Sequence, residues 1–69
     1  MENKFKDILK ELREEKGLGQ ERLAKELGMS NGIISLWENG LREPGMTSLI
    51  ILADYFGVSL DFLVGRADY

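Results

Sequence analysis

The hydrophobic positions of this chain recur at intervals of three and four residues, the spacing of one face of an α-helix. In the first segment the charged residues occupy one face, and Gly17 ends the segment. The opposite face consists of Phe5, Ile8, Leu9 and Leu12. No segment alternates strictly between hydrophobic and polar residues, as a half-buried strand would. The pattern predicts an all-α protein of five short helices around one core.

The second and third segments are short and lie close together in the chain. The second, "QERLAKELG", follows Gly19 and ends at Gly28, with an apolar face formed by Leu23, Ala24 and Leu27. The third is predicted to start after Ser30, because a serine hydroxyl can accept a hydrogen bond from the free amides of the first turn. It should end at Asn39 and Gly40, since glycine readily adopts the left-handed conformation that closes a helix.

The fourth segment is the most hydrophobic of the five. It follows the connector "LREPG", in which Pro44 cannot continue a helix, and runs from about Met46 to Phe56. Its predicted inner face consists of Leu49, Ile50, Leu52, Ala53 and Phe56. Gly57 ends it, and Ser59 is predicted to cap a last short turn, "LDFLV".

The composition narrows the function classes. A chain of 69 residues forms a single domain, residues 1–69, with one modest core and no deep substrate chamber. It has no cysteine and no histidine, so thiolate chemistry, the commonest general base and the commonest transition-metal ligand are all missing. We therefore expect no enzymatic activity, no metal site and no cofactor.

The charge distribution bears on possible partners. The net charge is −3, whereas a strongly basic domain would indicate a nucleic-acid partner. Residues 1–45 hold eight of the nine basic side chains, so an anionic partner would meet the first two-thirds of the chain. No apolar run is long enough for a membrane span, and the N-terminal sequence lacks the apolar core of a signal peptide. A cytoplasmic location is the simplest expectation.

The second and third predicted helices form a unit of about residues 20–39. Only Gly28, Met29 and Ser30 separate them, and so short a link forces the two helices to cross steeply. In this helix-turn-helix arrangement the second helix of the pair projects from the domain. It can then enter the major groove of DNA, with its first residues nearest the base edges.

Three stretches of the sequence indicate a particular protein family: "LREEKGLGQERLAKELGMS", "IISLWENGLREP" and "LADYFGVSLDFLVG". In these stretches the chain resembles the phage repressor and Cro type (xenobiotic-response-element type) of helix-turn-helix DNA-binding domain, from about Phe5 to Val64. The resemblance implies five packed helices and a transcriptional regulator, of the repressor kind, that binds a double-stranded DNA operator. It also implies that the third helix reads the major groove and that the protein binds as a two-fold homodimer.

The resemblance also implies roles for individual residues. The positions that commonly face bases are Asn31, Gly32, Ile33, Ser35 and Leu36. The candidates for contact with phosphates are Lys10, Gln20, Ser30, Asn39 and Arg42. Gln20 would also brace the recognition helix, unless it is an ordinary polar helix start, and Ser30 could serve as a cap alone.

The resemblance also implies an ion pair and two core residues. Arg13 and Glu38 correspond to a family salt bridge between helix one and the end of helix three, which would lock the recognition helix in place. The alternative is two solvated surface charges, which contribute about 0–1 kcal/mol. Ile34 and Trp37 are interpreted as core residues.

The chain departs from the family pattern on its recognition face. Family members often carry threonine or serine at the position of Gly19, and polar or basic residues at those of Gly32, Ile33 and Leu36. Of the residues on this face, only Asn31 could make a two-pronged hydrogen bond to adenine.

Three explanations of this face remain open. The chain could read DNA through Asn31, methyl contacts from Ile33 or Leu36, and DNA shape. It could instead bind a partner protein, because Ile33 and Leu36 lie one turn apart and would form an exposed apolar ridge. The third explanation covers both uses together, or a recognition helix that was altered deliberately.

A second excess of apolar residues lies toward the C-terminus. Ile51 stands where relatives often have lysine, and Met46 and Phe62 are candidates for partial exposure. In the family, helix five and its approaches commonly form the dimer contact. Self-association and ordinary core packing are both compatible with these residues.

Overall fold

The computed structural model describes residues 3–68, and this part of the chain forms five α-helices and no strand. The helices are α1 Phe5–Glu15, α2 Gln20–Leu27, α3 Ile33–Glu38, α4 Met46–Phe56 and α5 Leu60–Leu63. The prediction of an all-α fold with five short helices is confirmed. Among these helices, none is both long enough and apolar enough to cross a bilayer.

Every helix contributes one fully buried aliphatic side chain to a common core. These side chains are Leu9, Leu23, Ile34, Leu52 and Leu63. Burying one leucine or isoleucine side chain stabilises the fold by about 1.5–3 kcal/mol relative to leaving it exposed. Since each helix supplies one of the five, this burial holds all five helices together. Trp37 is also buried, and the ring of Phe5 meets its indole edge to face, with ring centroids 6.2 Å apart. The interpretation of Ile34 and Trp37 as core residues is confirmed.

The C-terminal end of α3 has a specific hydrogen-bonded closure. Gly40 adopts a φ of 70°, and its N–H donates to the carbonyl of Trp37 at 3.2 Å. The N–H of Leu41 donates to the carbonyl of Leu36 at 2.9 Å. This pair of bonds is the Schellman motif, which satisfies carbonyls that the helix leaves free. The predicted end at Asn39 and Gly40 is confirmed.

The N-terminal end of α3 differs from the prediction. Ser30 does not cap the helix, because α3 begins at Ile33 and no side chain caps its first turn. Gly32 precedes the helix with a φ of 90°, a left-handed conformation that favours glycine. The N–H of Ile33 donates to the Ser30 carbonyl at 3.3 Å, so a turn takes the place of the first helical residues. Asn31 and Gly32 therefore belong to this turn.

The prediction for α5 is confirmed and that for α4 needs one correction. The N–H of Phe62 donates to Ser59 Oγ at 3.0 Å, which caps α5. Ile50 was expected on the inner face of α4, but its side chain is 44% exposed. The reason is geometric, because the buried residues Leu52 and Ala53 define a face from which Ile50 is rotated away. The expected inner face was therefore too wide.

Candidate nucleic-acid interface

The helix-turn-helix unit is held together by buried side chains and a compact turn. Leu23 and Ala24 of α2 pack in the same core as Ile34 of α3. At the end of α2, Gly28 has a φ of 69° and the N–H of Met29 donates to the Ala24 carbonyl at 2.8 Å. These contacts fix where α3 starts relative to α2.

A buried ion pair fixes the other end of α3. Arg13 Nε donates to Glu38 Oε2 at 2.7 Å, and Arg13 Nη2 donates to Glu38 Oε1 at 2.9 Å. The two side chains are only 10% and 4% exposed. The pair is therefore the two-pronged, desolvated arrangement and not two solvated surface charges. The hydrogen bond and the charge of Glu38 raise the pKa of Arg13, although burial acts in the opposite direction.

Two further groups complete this polar network. Arg13 Nη1 donates to the carbonyl of Leu18 at 2.7 Å, which ties the guanidinium to the α1–α2 connection. Gln20 Nε2 donates to Glu38 Oε1 at 3.0 Å. The network therefore joins α1, the first residue of α2 and the last residue of α3. An amide nitrogen carries two hydrogens, so Gln20 can brace α3 and still donate to an external acceptor.

The five residues predicted to face bases fall into two groups. Asn31 and Gly32 are exposed in the turn before α3. Ile33, Ser35 and Leu36 are half-buried on the helix, and Ile33 packs against the core. The expected exposed ridge of Ile33 and Leu36 is therefore only partly present, because both side chains are half-buried and Ile33 packs against the core.

The side chains predicted to contact phosphates surround the unit. Lys10, Ser30, Asn39 and Arg42 are exposed, and Gln20 is half-buried. Asn39 Nδ2 donates to Ser35 Oγ at 3.2 Å, so these two polar residues are coupled on α3. Within residues 3–68, no group of three or more acidic, histidine or cysteine residues could hold a metal ion.

Leu41 is a feature that the sequence interpretation missed. Its side chain is 70% exposed directly after α3, and its backbone is bonded to Leu36. The signal was available, because the glycine that closes a helix in a Schellman motif places the next residue beside the last turn. The exposed apolar side chain near the end of α3 is Leu41.

Comparison with known proteins agrees with this geometry. A family model described as helix-turn-helix matches residues 9–63. The HTH-type transcriptional activator BcrR of Enterococcus faecalis is 42% identical over 60 residues, which cover 87% of this chain and 29% of that protein. The HTH-type transcriptional regulator ImmR of Bacillus subtilis is 34% identical over 58 residues, covering 84% and 46%. The chain thus spans less than half the length of these two relatives.

Two solved structures resemble the whole fold. A transcriptional regulator from Listeria innocua superposes with a TM-score of 0.87 at 30% identity, over 100% of this chain and 64% of that one. The P22 c2 repressor, solved in complex with a synthetic operator, superposes with a TM-score of 0.82 at 28% identity, over 91% of this chain and 96% of that one. Since the family model covers most of the chain and both structures share its five-helix fold, the chain belongs to the helix-turn-helix family, of the phage repressor and Cro type.

Proposed function

We propose that this chain is a non-enzymatic, sequence-specific DNA-binding transcriptional regulator that acts as a repressor in the cytoplasm. The observation that carries the proposal is the similarity to the P22 c2 repressor, a protein bound to an operator in its structure, over 96% of that chain. The buried network of Arg13, Gln20 and Glu38 supports it, because a helix that reads DNA must be held rigidly to position its side chains.

In this proposal the turn before α3 and the exposed side of α3 enter the major groove. Asn31 is the reader of adenine, because its exposed amide can bond two-pronged to the base edge. Gly32 allows close approach of the backbone, and Ser35 offers a hydroxyl. Leu36 and the outer part of Ile33 would contact thymine methyl groups.

Phosphate contacts would lie on both sides of α3. Ser30 lies just before the first residue of α3, and Gln20 lies beside Glu38, the last residue of α3. Lys10, Asn39 and Arg42 would act near its end. Such contacts orient the protein on the duplex and carry no sequence information directly.

The proposed binding form is a two-fold homodimer, with two recognition helices about 34 Å apart. Its support comes from the exposed apolar residues of the last two helices. Met46 and Ile51 are 72% and 38% exposed, and Leu60 is 41% exposed, whereas Phe62 is half-buried. Joining two copies through α4 and α5 would remove these side chains from water.

Selection from a random pool of duplex DNA tests the proposal. We expect the 69-residue chain to enrich a palindromic motif whose half-sites are centred about 10 base pairs apart. Asn31→Ala should relax the preference at one adenine in each half-site. A pool that stays random after several rounds would contradict DNA recognition.

A second candidate function is binding of a partner protein through the end of α3. It is favoured by one observation, the 70% exposure of Leu41 next to Leu36. Leu36→Lys and Leu41→Lys separate the two candidates, because added positive charge should maintain or raise DNA affinity if neither leucine touches DNA. Loss of binding to the selected duplex by Leu36→Lys would make Leu36 a DNA contact.

A further inference from the structure

An open groove of about 760 Å³ lies between the N-terminal end of α1 and the connector after α3. Its positive lining residues are Lys4, Lys6 and Arg42, and its negative ones are Asp7 and Glu43. The groove therefore carries a surplus of one positive charge in a chain with a net charge of −3. The excess positive charge lies next to α3, the helix that is proposed to enter the major groove of DNA.

Lys6 lies directly against the end of α3. A β-carbon placed on Gly40 would lie 3.5 Å from Lys6 Cδ and 4.0 Å from Lys6 Nζ. Gly40 has no side chain, so the Lys6 stem passes over the backbone that closes α3. The Lys6 ammonium group thereby comes next to the segment that contains Asn39 and Arg42.

Lys6 also shares a helix face with residues already tied to α3. Positions 6, 10 and 13 lie on one stripe of an α-helix, because residues three and four apart are neighbours on its surface. At one end of this stripe Arg13 pairs with Glu38, and at the other Lys6 meets Gly40. The stripe therefore runs past the last turn of α3, with Lys10 between the two contacts.

We propose that Lys6 binds a backbone phosphate of DNA and joins Lys10 and Arg42 in one continuous phosphate-binding edge along this groove. The proposal rests on the proposed function, and it adds a contact that the sequence pattern did not indicate. Asp7 and Glu43 line the same groove and oppose the phosphate, so they limit the affinity of this edge.

A structural role for Lys6 makes different predictions. A lysine at the C-terminal end of a helix interacts favourably with the helix dipole, so Lys6 could stabilise α3 without touching DNA. A phosphate contact changes the salt dependence of binding, whereas a purely structural contact changes the unfolding transition. The two roles are therefore separable by measuring both quantities.

The experiment compares Lys6→Gln, Lys6→Arg and Lys16→Gln in the 69-residue chain. Lys16→Gln is the matched control, because Lys16 follows the C-terminal end of α1 and its Nζ lies 5.2 Å from the centre of the Tyr55 ring. The probes are the duplex enriched by selection and a duplex of unrelated sequence. Kd is measured for both from ~50 to ~200 mM salt, a range over which phosphate contacts change affinity strongly, together with the thermal unfolding midpoint of each variant.

For Lys6→Gln we expect the slope of log K against log salt to fall by about 0.9 for each bound protomer. Binding to both duplexes should weaken by a similar factor, up to roughly tenfold for each bound protomer at ~0.1 M salt, because phosphates are the same in every sequence. Lys6→Arg should keep the slope of the unmodified chain, and so should Lys16→Gln.

Asp7→Asn provides the reciprocal measurement. Removing a negative charge from the groove should raise the affinity for both duplexes if a phosphate lies there. The proposal would be overturned if Asp7→Asn bound both duplexes with unchanged affinity and Lys6→Gln kept the slope of log K against log salt of the unmodified chain. A lower unfolding midpoint in Lys6→Gln without a change in slope would overturn it in favour of the structural role.

The outcome also separates this inference from the proposed function. If the unmodified chain binds the selected duplex and Lys6→Gln binds with the same slope, only the phosphate contact of Lys6 is overturned. If the unmodified chain binds neither duplex, the proposed function and this inference are both overturned.

Discussion

Among single residues, Arg13 is the charged side chain whose surroundings constrain it most. Its side chain is buried, with Glu38 and the Leu18 carbonyl as its partners. Removing one member of a buried pair leaves the other charge uncompensated, which costs about 3–5 kcal/mol. We expect Arg13→Gln and Glu38→Gln each to lower the free energy of unfolding by about 3 kcal/mol.

The double variant tests whether the two residues act as a pair. Because they are in direct contact, their combined effect should fall short of the sum by at least ~1 kcal/mol. Urea unfolding of the four proteins gives this coupling. A coupling near zero would mean that the ion pair contributes no more than two solvated charges.

Tyr55 makes a second contact between helices, and its strength depends on pH. Tyr55 Oη donates to Glu26 Oε2 at 2.5 Å, which links α4 to α2. This hydrogen bond lowers the pKa of Glu26, and it raises the pKa of Tyr55. The contribution of Glu26 is present above its unfolded pKa of about 4.3 and is lost as pH falls through the lowered value. That of Tyr55 is present below about pH 10 and is lost as pH rises through the raised value.

Tyr55→Phe should therefore unfold at a lower temperature than the unmodified chain at neutral pH. The difference in midpoint should shrink as pH falls below ~4, because the carboxylate that accepts the bond becomes protonated. Glu26→Gln is the reciprocal variant and should reduce the same pH dependence. A difference that stays constant from neutral to strongly acidic pH would contradict this account.

At the scale of whole helices, the two serines predicted as caps now have different roles. Ser59 accepts a hydrogen bond at the start of α5, whereas Ser30 precedes a turn and caps nothing in α3. Ser59→Ala should lower the free energy of unfolding by about 1 kcal/mol. Ser30→Ala is the matched control and should stay within about 0.5 kcal/mol of the unmodified chain. Equal losses in urea unfolding would contradict the assignment.

The same two serines show how far local sequence determines a helix. The periodic pattern and the glycines after α2 and α4 predicted those helices correctly, because these signals act within one or two turns. A serine followed by a hydrophobic run is also a good local signal for a helix start. It was wrong for Ser30, because Gly32 adopts a left-handed conformation that the pattern of hydrophobic residues does not encode.

The sequence predicted the exposure of individual side chains less well than it predicted the positions of the helices. Ile50 and Leu41 are hydrophobic residues that the fold leaves exposed, and only the packing of neighbouring helices decides this. The pairing of Arg13 with Glu38 was expected from resemblance to a family and not from the spacing of the two residues. Gln20 was likewise expected to brace the recognition helix, but its bond to Glu38 and the contact of Arg13 with the Leu18 carbonyl required the three-dimensional structure.

At the scale of the whole molecule, four of the five large exposed hydrophobic side chains within residues 3–68 lie on α4 and α5. They are Met46, Ile50, Ile51 and Leu60, while Leu41 lies in the connector after α3. A lysine in an apolar contact between two copies would lose its hydration, which is costly for a charged group. Ile51→Lys should therefore weaken self-association and leave each folded protomer intact, because Ile51 is already 38% exposed.

The weaker self-association of Ile51→Lys is best measured through its affinity for DNA. Ile51→Lys should bind a duplex with two half-sites more weakly than the unmodified chain, and it should bind a single half-site about equally well. Leu41→Ser is the control, because it removes an exposed apolar side chain outside α4 and α5 and should leave sedimentation unchanged. If Ile51→Lys associates as strongly as the unmodified chain, the two copies do not meet through Ile51. Cooperative binding to two half-sites would then have to arise from another part of the face formed by α4 and α5, and the next residue to substitute would be Leu60.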